Sequence, residues 1–177
     1  EYPEMKGSED TFQKIRAYMF FSSYSHLSKR DPALIKKEVL WNIEEGRKLV
    51  IDDLIKAEEN RAVIYNNTMA FFEKFDFLIV PSSAVPPFNS QKKWVEKIED
   101  TTYENYVSWL MIAACVSLTN CPSLALATSL SKDGAPFGIQ IIAAPHEESK
   151  LLRFAKVIED NINIADLIPI NVKNAYF

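Results

Sequence analysis

Two pairs of neighbouring serines are the residues of this chain that could supply a nucleophile. They are Ser22-Ser23 and Ser82-Ser83, and neither pair is flanked by the glycines that let backbone amides converge as an oxyanion hole. The chain contains only two histidines, and neither has another histidine or a cysteine at metal-ligand spacing, so we expect no metal. Neighbouring glutamates point in different directions on a helix and form no acid–base dyad. Residue chemistry alone therefore predicts no complete catalytic site.

Glycine is scarce in this sequence, with four residues where average usage predicts about twelve. The scarcity excludes a glycine-rich phosphate loop within the chain, and we predict no cofactor. The net charge of −4 and the lack of a basic patch in the sequence give no reason to expect nucleic acid as a partner. Hydrophobic residues at 47% and charged residues at 25% are typical of a globular protein, and 177 residues fit a single domain.

Residues 105–131 contain no charged side chain, and an uncharged run of this length first suggests a membrane span. Pro122 and several scattered polar residues argue against a span, because each polar group in lipid needs a partner within the protein. We predict instead a buried helix that ends near Leu118 and a buried strand near Leu124–Thr128. A tight Asp-Gly turn then leads to a second strand at Phe137–Ala143.

Both cysteines, Cys115 and Cys121, lie in this uncharged stretch. A buried free cysteine behaves as a small hydrophobe, so we interpret both as reduced thiols, with a disulfide as the alternative. Reduced thiols indicate a reducing compartment, so we predict a cytoplasmic protein, and no signal-peptide or lipidation motif is visible in this sequence. The chain begins at Glu1 instead of methionine, which is consistent with a processed start or with part of a longer polypeptide.

Hydrophobic spacing predicts two helices in the first third of the chain. The first covers residues 9–23 and follows a helix-start signal at Ser8. Its aromatic-rich core face contains Phe12, Ile15 and Met19. A short helix at Ala33–Trp41 follows the break at Ser28–Asp31, and Gly46 marks an interruption after it.

Two further helices are predicted from the same spacing. A long helix extends from Ile51 to Phe72. A final helix begins at Glu147-Glu148, and the tail from Asn161 is irregular. The core face of this final helix contains Leu151, Leu152, Ala155 and Ile158.

A continuously apolar run, Phe77–Val80, is closed by Pro81 and indicates a buried strand. The segment Ser82–Lys93 contains two adjacent prolines and is predicted to be irregular. Loops at strand ends carry sites more often than strands do, so Ser82, Ser83 and Phe88 are candidates for lining a cleft. Helices that alternate with short buried strands indicate an α/β fold, or α+β when the chain is considered alone.

Several motifs of one enzyme family occur here in a shared order. Phe75–Pro81 is similar to a Phe-Asp-x-Leu-x-x-Pro strand, and Val85–Phe88 continues that similarity. Ser117–Pro122 precedes a buried strand, and Asp133–Gln140 contains the pattern Gly-x-Pro-x-Gly-x-Gln. The signature residues of this last motif are Gly134, Pro136, Gly138 and Gln140. Weaker matches are Phe12-Gln13, Arg16-Ala17, Gly46, Ala57 and Arg61. Together these segments resemble the C-terminal half of amidase signature family enzymes.

The resemblance implies an enzyme that hydrolyses carboxylic amides through a Ser–Ser–Lys triad, in which a lysine acts as base through a bridging serine. The triad belongs to the N-terminal half of the family sequence, so no catalytic residue is carried over to this chain. The resemblance implies that residues 1–177 form the C-terminal portion, complete the sheet and line part of the substrate cleft. By the same resemblance, the positions that face a substrate are Ser82, Ser83, Phe88, Trp109 and Thr119.

Gln140 is a polar residue on an otherwise apolar strand, which favours structural hydrogen bonding over substrate contact. This chain departs from the family at Asn120, Ala127 and Ser129, where relatives carry glycine or proline. Asparagine tolerates a positive φ, so we expect Asn120 to keep the turn. The other two changes raise the question of whether the cleft keeps its shape.

Three interpretations follow. The first is an amidase whose catalytic half lies outside this sequence, and this half would be inactive without it. The second is a non-catalytic scaffold or binding module, and the third is an unrelated α+β domain. We expect a small amide substrate and the N-terminal catalytic half as partners, and no nucleic acid or membrane. An incomplete sheet would expose an edge, so self-association is also expected.

Overall fold

The computed structural model describes residues 1–30, 32–132 and 134–162. Helices and a small sheet alternate along this part of the chain, which confirms the predicted mixed fold. Two compact units are present, and each is described by itself. Unit 1 contains residues 1–71 and 117–119, and unit 2 contains residues 72–116 and those from 120 onward. Within the described residues, no helix is both long and apolar enough to cross a membrane.

Unit 1 contains three helices. They are α1 (Ser8–Arg30), α2 (Lys37–Lys48) and α3 (Ile51–Phe72), and a 3₁₀ turn at Pro32–Leu34 lies between α1 and α2. The predicted bounds of α3 are confirmed. The helix α1 continues seven residues past the predicted end at position 23, to Arg30, because no glycine or proline interrupts it before Pro32.

The prediction that Gly46 interrupts the chain is wrong, because Gly46 lies inside α2 and is buried. It lies where α2 packs against Ala17 and Phe21 of α1. The guanidinium of Arg47, the next residue of α2, lies 5.4 Å from the centre of the Phe21 ring. A residue without a side chain permits this close helix contact, so the glycine serves packing here.

Asn60 of α3 holds the start of α1 in place. Its Nδ2 donates to the carbonyl oxygen of Lys6 at 3.1 Å and to Oγ1 of Thr11 at 2.8 Å. Thr11 is almost completely buried, so this bond satisfies a hydroxyl that water does not reach. Farther along α3, Asn67 donates to the carbonyl oxygen of Glu4 at 3.2 Å.

Unit 2 is built on a three-stranded antiparallel sheet with the order β1-β5-β4. Its strands are β1 (Leu78–Pro81), β4 (Ser123–Leu130) and β5 (Pro136–Ile142), and β5 lies in the centre. A separate two-stranded hairpin contains β2 (Lys97–Ile98) and β3 (Thr101–Thr102). All three predicted strands are present, each within two residues of its predicted ends. The prediction that the strand near Leu124–Thr128 is buried is wrong, because the residues of β4 alternate between exposed and half-buried.

A helical segment precedes β4, in the position predicted for the buried helix that ends near Leu118. It is less regular than predicted, because the α-helix α4 (Met111–Ala114) is flanked by 3₁₀ turns at Ser108–Leu110 and Cys115–Leu118. Asn120 follows with a φ of 55°, which confirms the expectation that asparagine keeps a left-handed turn here. Asp133 of the predicted Asp-Gly turn lies outside the described residues.

The last helix, α5 (Glu148–Ile162), packs on one face of the sheet. The rings of Phe77 and Phe154 stack with centroids 4.1 Å apart. Leu152 was predicted to face the core, and this prediction is wrong because Leu152 is 60% exposed. The predicted irregular tail lies outside the described residues except for its first two residues, Asn161 and Ile162, where the prediction is wrong because both belong to α5. The core cluster under α5 contains Ile141, Ala143, Leu151 and Ala155.

Candidate functional site

A groove of about 240 Å³ lies where the loop after β1 passes the first residues of β5. Ser82 and Ser83, two of the predicted substrate residues, line it together with Pro136 and Gly138 of the signature motif. The remaining lining residues are Ala84, Val85, Pro86 and Phe137. The structure thus brings two separately predicted groups of residues to one place in unit 2.

The loop keeps its shape through hydrogen bonds of the two serines. The amide of Ser82 donates to the carbonyl oxygen of Gly138 at 3.1 Å and so extends the β1–β5 ladder by one residue. The Ser83 hydroxyl donates to the carbonyl oxygen of Val85 at 2.8 Å and accepts a bond from the Val85 amide at 3.3 Å. These local bonds turn the chain after β1, which is the ordinary role of serine in a turn.

Gly138 permits the loop and β4 to approach β5 closely. A Cβ at this position would lie 2.8 Å from the carbonyl oxygen of Leu126 and 3.1 Å from Oγ of Ser82. Both distances are shorter than ordinary van der Waals contacts. The signature glycine therefore sets the width of the groove through the space that it leaves empty.

Phe88 and Trp109, two further predicted substrate residues, form an aromatic pair in unit 2. Their ring centroids are 5.8 Å apart and the ring planes make an angle of 80°. This edge-to-face geometry is favourable for aromatic rings, and Phe88 keeps 41% of its surface exposed. An exposed, oriented ring is suited to hold the apolar part of a small ligand.

Thr119, the fifth predicted substrate residue, belongs to unit 1 and is only 1% exposed. The family resemblance predicted that Thr119 faces a substrate. The burial of a threonine cannot be deduced from its residue type alone. In unit 1 it follows Ser117 and Leu118, which line a cavity described below.

The side chain of Gln140 forms a hydrogen bond within the sheet. Its Nε2 donates to Oγ of Ser123 on the neighbouring strand at 2.6 Å, while its Oε1 is buried and has no partner within the described residues. The bond crosses from β5 to β4 on one face of the sheet, because Ser123 lies diagonally opposite Gln140. This geometry supports the structural role favoured by the sequence, with a side-chain partner in place of the backbone.

A second cavity, of about 370 Å³, lies in unit 1 and was not predicted. Phe12, Ile15 and Met19, which were assigned to a buried core face, line this opening instead, and Met19 is 58% exposed. The other lining residues are Arg16, Phe20, Arg61, Ser117 and Leu118. An arginine placed on an apolar helix stripe was the signal available in the sequence, because a packed core rarely accepts that charge.

The two arginines of this cavity are held in defined positions. The Arg16 guanidinium lies 4.5 Å from the centre of the Phe20 ring, a cation–π contact. Nε of Arg61 donates to the carbonyl oxygen of Leu118 at 3.3 Å, and its Nη1 lies 3.6 Å from a carboxylate oxygen of Glu58. Apolar walls with guanidinium groups suit a ligand that combines an apolar body with a polar or anionic end.

The groove in unit 2 can bind but has no reactive set of its own. Its lining residues include two serine hydroxyls and no histidine, lysine or carboxylate, so no base stands beside the serines in the groove. The burial of Cys115 raises the pKa of its thiol, which disfavours the reactive thiolate. Neither Cys115 nor Cys121 forms a disulfide among the described residues. Within the described residues, no group of three or more histidine, cysteine, aspartate or glutamate side chains could hold a metal ion.

The sequence model of the amidase family matches residues 10–152 of this chain. The matched range covers most of the chain and includes the segments that form the groove and the signature strand. This chain therefore belongs to the amidase family. The interpretation as an unrelated α+β domain is wrong.

Two named relatives are similar to this chain in sequence, and a solved structure is similar to it in fold. The chain is 34% identical over 106 residues to a subunit of glutamyl-tRNA(Gln) amidotransferase from Thermodesulfovibrio yellowstonii, which covers 60% of this chain and 21% of that protein. It is 32% identical over 107 residues to the AtzE subunit of 1-carboxybiuret hydrolase from Pseudomonas sp. strain ADP, with 60% and 23% covered. A crystal structure of an amidase superposes with a TM-score of 0.80 at 20% identity, over 89% of this chain and 36% of that chain. The chain thus spans about a quarter or less of the two curated relatives.

Proposed function

We propose that this chain is the C-terminal portion of an amidase-family hydrolase that cleaves carboxylic amides. In this proposal residues 1–177 act as one domain that completes the fold and contributes one wall of the substrate cleft. The observation that carries the proposal is the groove of Ser82, Ser83, Pro136 and Gly138, in which the signature motif of an amide hydrolase meets the predicted substrate loop. The family match over residues 10–152 supports it.

The chemistry of the groove favours a neutral amide as substrate. Its walls carry apolar groups and serine hydroxyls without any charged side chain, so a charged substrate would lose its hydration without compensation there. The Phe88–Trp109 pair adds an aromatic surface for an aliphatic or aryl group. The nucleophile and its base come from the N-terminal catalytic half, since the groove offers no base, and this chain alone is therefore inactive.

An assay of amide hydrolysis tests the proposal. The full-length product of the gene and this 177-residue chain are compared on simple aliphatic and aryl amides. We expect hydrolysis by the full-length protein and none by the chain alone. Hydrolysis by the chain alone would overturn the assignment of chemistry to another half of the enzyme.

The groove itself needs a separate test with a matched control. In the full-length enzyme, Ser83→Ala removes the hydroxyl that shapes the groove loop, whereas Ser22→Ala removes a hydroxyl that bonds only within α1, to the carbonyl oxygen of Met19. We expect a raised KM for Ser83→Ala and unchanged kinetics for Ser22→Ala. Equal kinetics for both variants would show that the groove is not part of the cleft.

The alternative function is a non-catalytic scaffold, favoured by the departures at Asn120, Ala127 and Ser129. Lack of hydrolysis by both proteins, with an intact fold, would support the scaffold in place of the enzyme. In either case two cysteines outside any disulfide fit a reducing compartment, and we propose the cytoplasm. One relative is named as part of an amidotransferase with more than one kind of chain, so a protein partner is also within the proposal.

A further inference from the structure

The two serines of the groove differ in what their hydroxyl groups contact. The Ser83 hydroxyl is engaged twice within the loop, with the carbonyl oxygen and the amide of Val85. The Ser82 hydroxyl forms no hydrogen bond within the part of the chain that the structure describes, although the Ser82 amide is bonded to Gly138. One hydroxyl therefore shapes the loop, and the other is left to bind a ligand.

The position of the Ser82 hydroxyl is fixed by the sheet. The bond from the Ser82 amide to the carbonyl oxygen of Gly138 continues the β1–β5 ladder, so the ladder holds the backbone of Ser82 beside the groove. Its Oγ lies 3.1 Å from the place that a Cβ of residue 138 would occupy, and Gly138 leaves that place empty. The hydroxyl thus lies where no side chain of residue 138 obstructs a ligand atom.

Apart from Ser83, the other side chains that line the groove are apolar: Ala84, Val85, Pro86, Pro136 and Phe137. The amide of Val85 is used by Ser83, and a proline has no amide hydrogen to donate. A ligand that fills the groove displaces water from the Ser82 hydroxyl, and a hydroxyl that loses this water without a new partner weakens the complex. A well-bound ligand must therefore bring one polar group to Ser82.

We propose that Ser82 is a specificity-determining residue, whose hydroxyl forms a hydrogen bond with a second, neutral polar group of the substrate. This inference rests on the proposed function, in which the groove is one wall of the substrate cleft. The carbonyl that is cleaved meets the nucleophile of the N-terminal half, so the group that meets Ser82 is another group of the same molecule. Among the described residues no charged side chain lines the groove, so this group is a carboxamide or a hydroxyl.

Binding of two amides of nearly equal shape to the full-length protein tests this role. Succinamide carries a second carboxamide, and isocaproamide carries an isopropyl group in its place. NMR titration measures both dissociation constants for the unaltered protein, for Ser82→Ala and for Ser83→Ala. We expect Ser82→Ala to weaken the binding of succinamide about three- to tenfold, the usual net effect of one hydrogen bond, and not to weaken that of isocaproamide.

Ser83→Ala is the matched comparison, because it removes a hydroxyl from the neighbouring residue. Loss of the loop bonds should weaken the binding of both amides by a similar factor, whereas loss of the Ser82 hydroxyl should change the ratio between them. Ser82→Thr keeps a hydroxyl on a residue type that strands favour, and we expect it to restore the ratio. In the unaltered protein, the amide signals of Ser82 and Gly138 should shift on addition of succinamide, which tests the contact without any variant.

Two results would overturn the proposal. Equal weakening of both amides by Ser82→Ala would do so, since only succinamide carries the second carboxamide. No effect on either amide would show that the hydroxyl does not face the substrate, as when the N-terminal half covers it. Either result leaves hydrolysis by the full-length protein standing. Conversely, a protein that binds succinamide through Ser82 but cleaves no amide would overturn the proposed function and keep this specificity.

Discussion

A β-carbon at Gly46 would lie 2.2 Å from the carbonyl oxygen of Ala17, so α2 and α1 touch through their backbones at this point. A contact with backbone differs from a contact with a flexible side chain, because the carbonyl cannot rotate away without moving its helix. The same β-carbon would lie 2.5 Å from Cβ of Phe21. The distance between α1 and α2 therefore depends on the missing side chain.

Gly46→Ala should destabilise the chain. Helix propensity alone favours alanine by about 1 kcal/mol, so any loss of stability must come from the contact with α1. Overpacking of this kind costs about 1–3 kcal/mol or more, and we expect a net fall of that size in the free energy of unfolding, measured with urea. Ser23→Ala, at an exposed position of α1, is the control and should change stability by less than about 0.5 kcal/mol. A Gly46→Ala chain as stable as the control would contradict the prediction.

Gly138→Ala and Gly134→Ala should both destabilise the chain, but for different reasons and with different effects on KM. At Gly138 the added carbon meets the Leu126 carbonyl at 2.8 Å, so we expect a loss of about 1–3 kcal/mol and a raised KM of the full-length enzyme. At Gly134 an added carbon would meet no described atom within 4 Å apart from its chain neighbours, but the φ of 77° costs about 1–2 kcal/mol without affecting the groove. Urea unfolding and steady-state kinetics separate the two effects. Equal changes of KM would show that Gly138 does not set the groove width.

The Phe88–Trp109 pair gives a prediction for substrate binding. Phe88→Ala in the full-length enzyme removes one ring of the pair, and we expect KM for aryl amides to rise several-fold with a smaller change for short aliphatic amides. Loss of the Phe88–Trp109 contact itself should cost about 0.5–1.5 kcal/mol beyond the buried area. Tyr18→Ala, at an exposed position of α1, is the control. A rise that is equal for both amide classes would argue against ring contact.

The thiol of Cys115 should react slowly with an alkylating reagent. Burial raises its pKa, so at a given pH the folded chain contains less thiolate than the chain in urea. In a Cys121→Ser variant, we expect iodoacetamide to label folded Cys115 more slowly than unfolded Cys115, with the folded rate rising at more alkaline pH. Because the folded state holds this proton more tightly, the free energy of unfolding should also fall as pH rises through the thiol titration. Identical pH profiles in the two states would refute the prediction.

Local signals in the sequence were sufficient for α3 and for the positions of the three strands of the main sheet. The stripe of α3 gave Ile51 to Phe72, and the run at Phe77–Val80 gave β1 to within a residue. The left-handed turn at Asn120 followed from the family resemblance, since relatives carry glycine there, and asparagine is one of the few other residues that accept a positive φ. Ser129, which the sequence left unexplained, pairs with Phe137 across a bulge that takes up one extra residue.

Features that depend on distant packing could not be derived in this way. In the local sequence, Gly46 is typical of a residue that ends a helix. Its position inside α2 is explained by the close contact with Ala17 of α1. Leu152 fits the apolar stripe of α5, yet its side chain is 60% exposed. Phe12 and Met19 line the cavity beside Arg16 instead of packing in a core, and their apolar type alone does not distinguish these two positions. The sequence predicted Ser82 and Gly138 as separate site and signature residues. Their position in one groove is seen only in the structure.

The bond from Arg61 to the carbonyl oxygen of Leu118 joins residues 57 positions apart in the sequence, although both belong to unit 1. A ribosome that has released α1, α2 and α3 has therefore not yet supplied every part of their unit. Synthesis proceeds at about 5–20 residues per second, so residues 117–119 are synthesised several seconds after the three helices. A polypeptide cut after Phe71 would lack the same three residues, and the order of synthesis becomes part of how this unit closes.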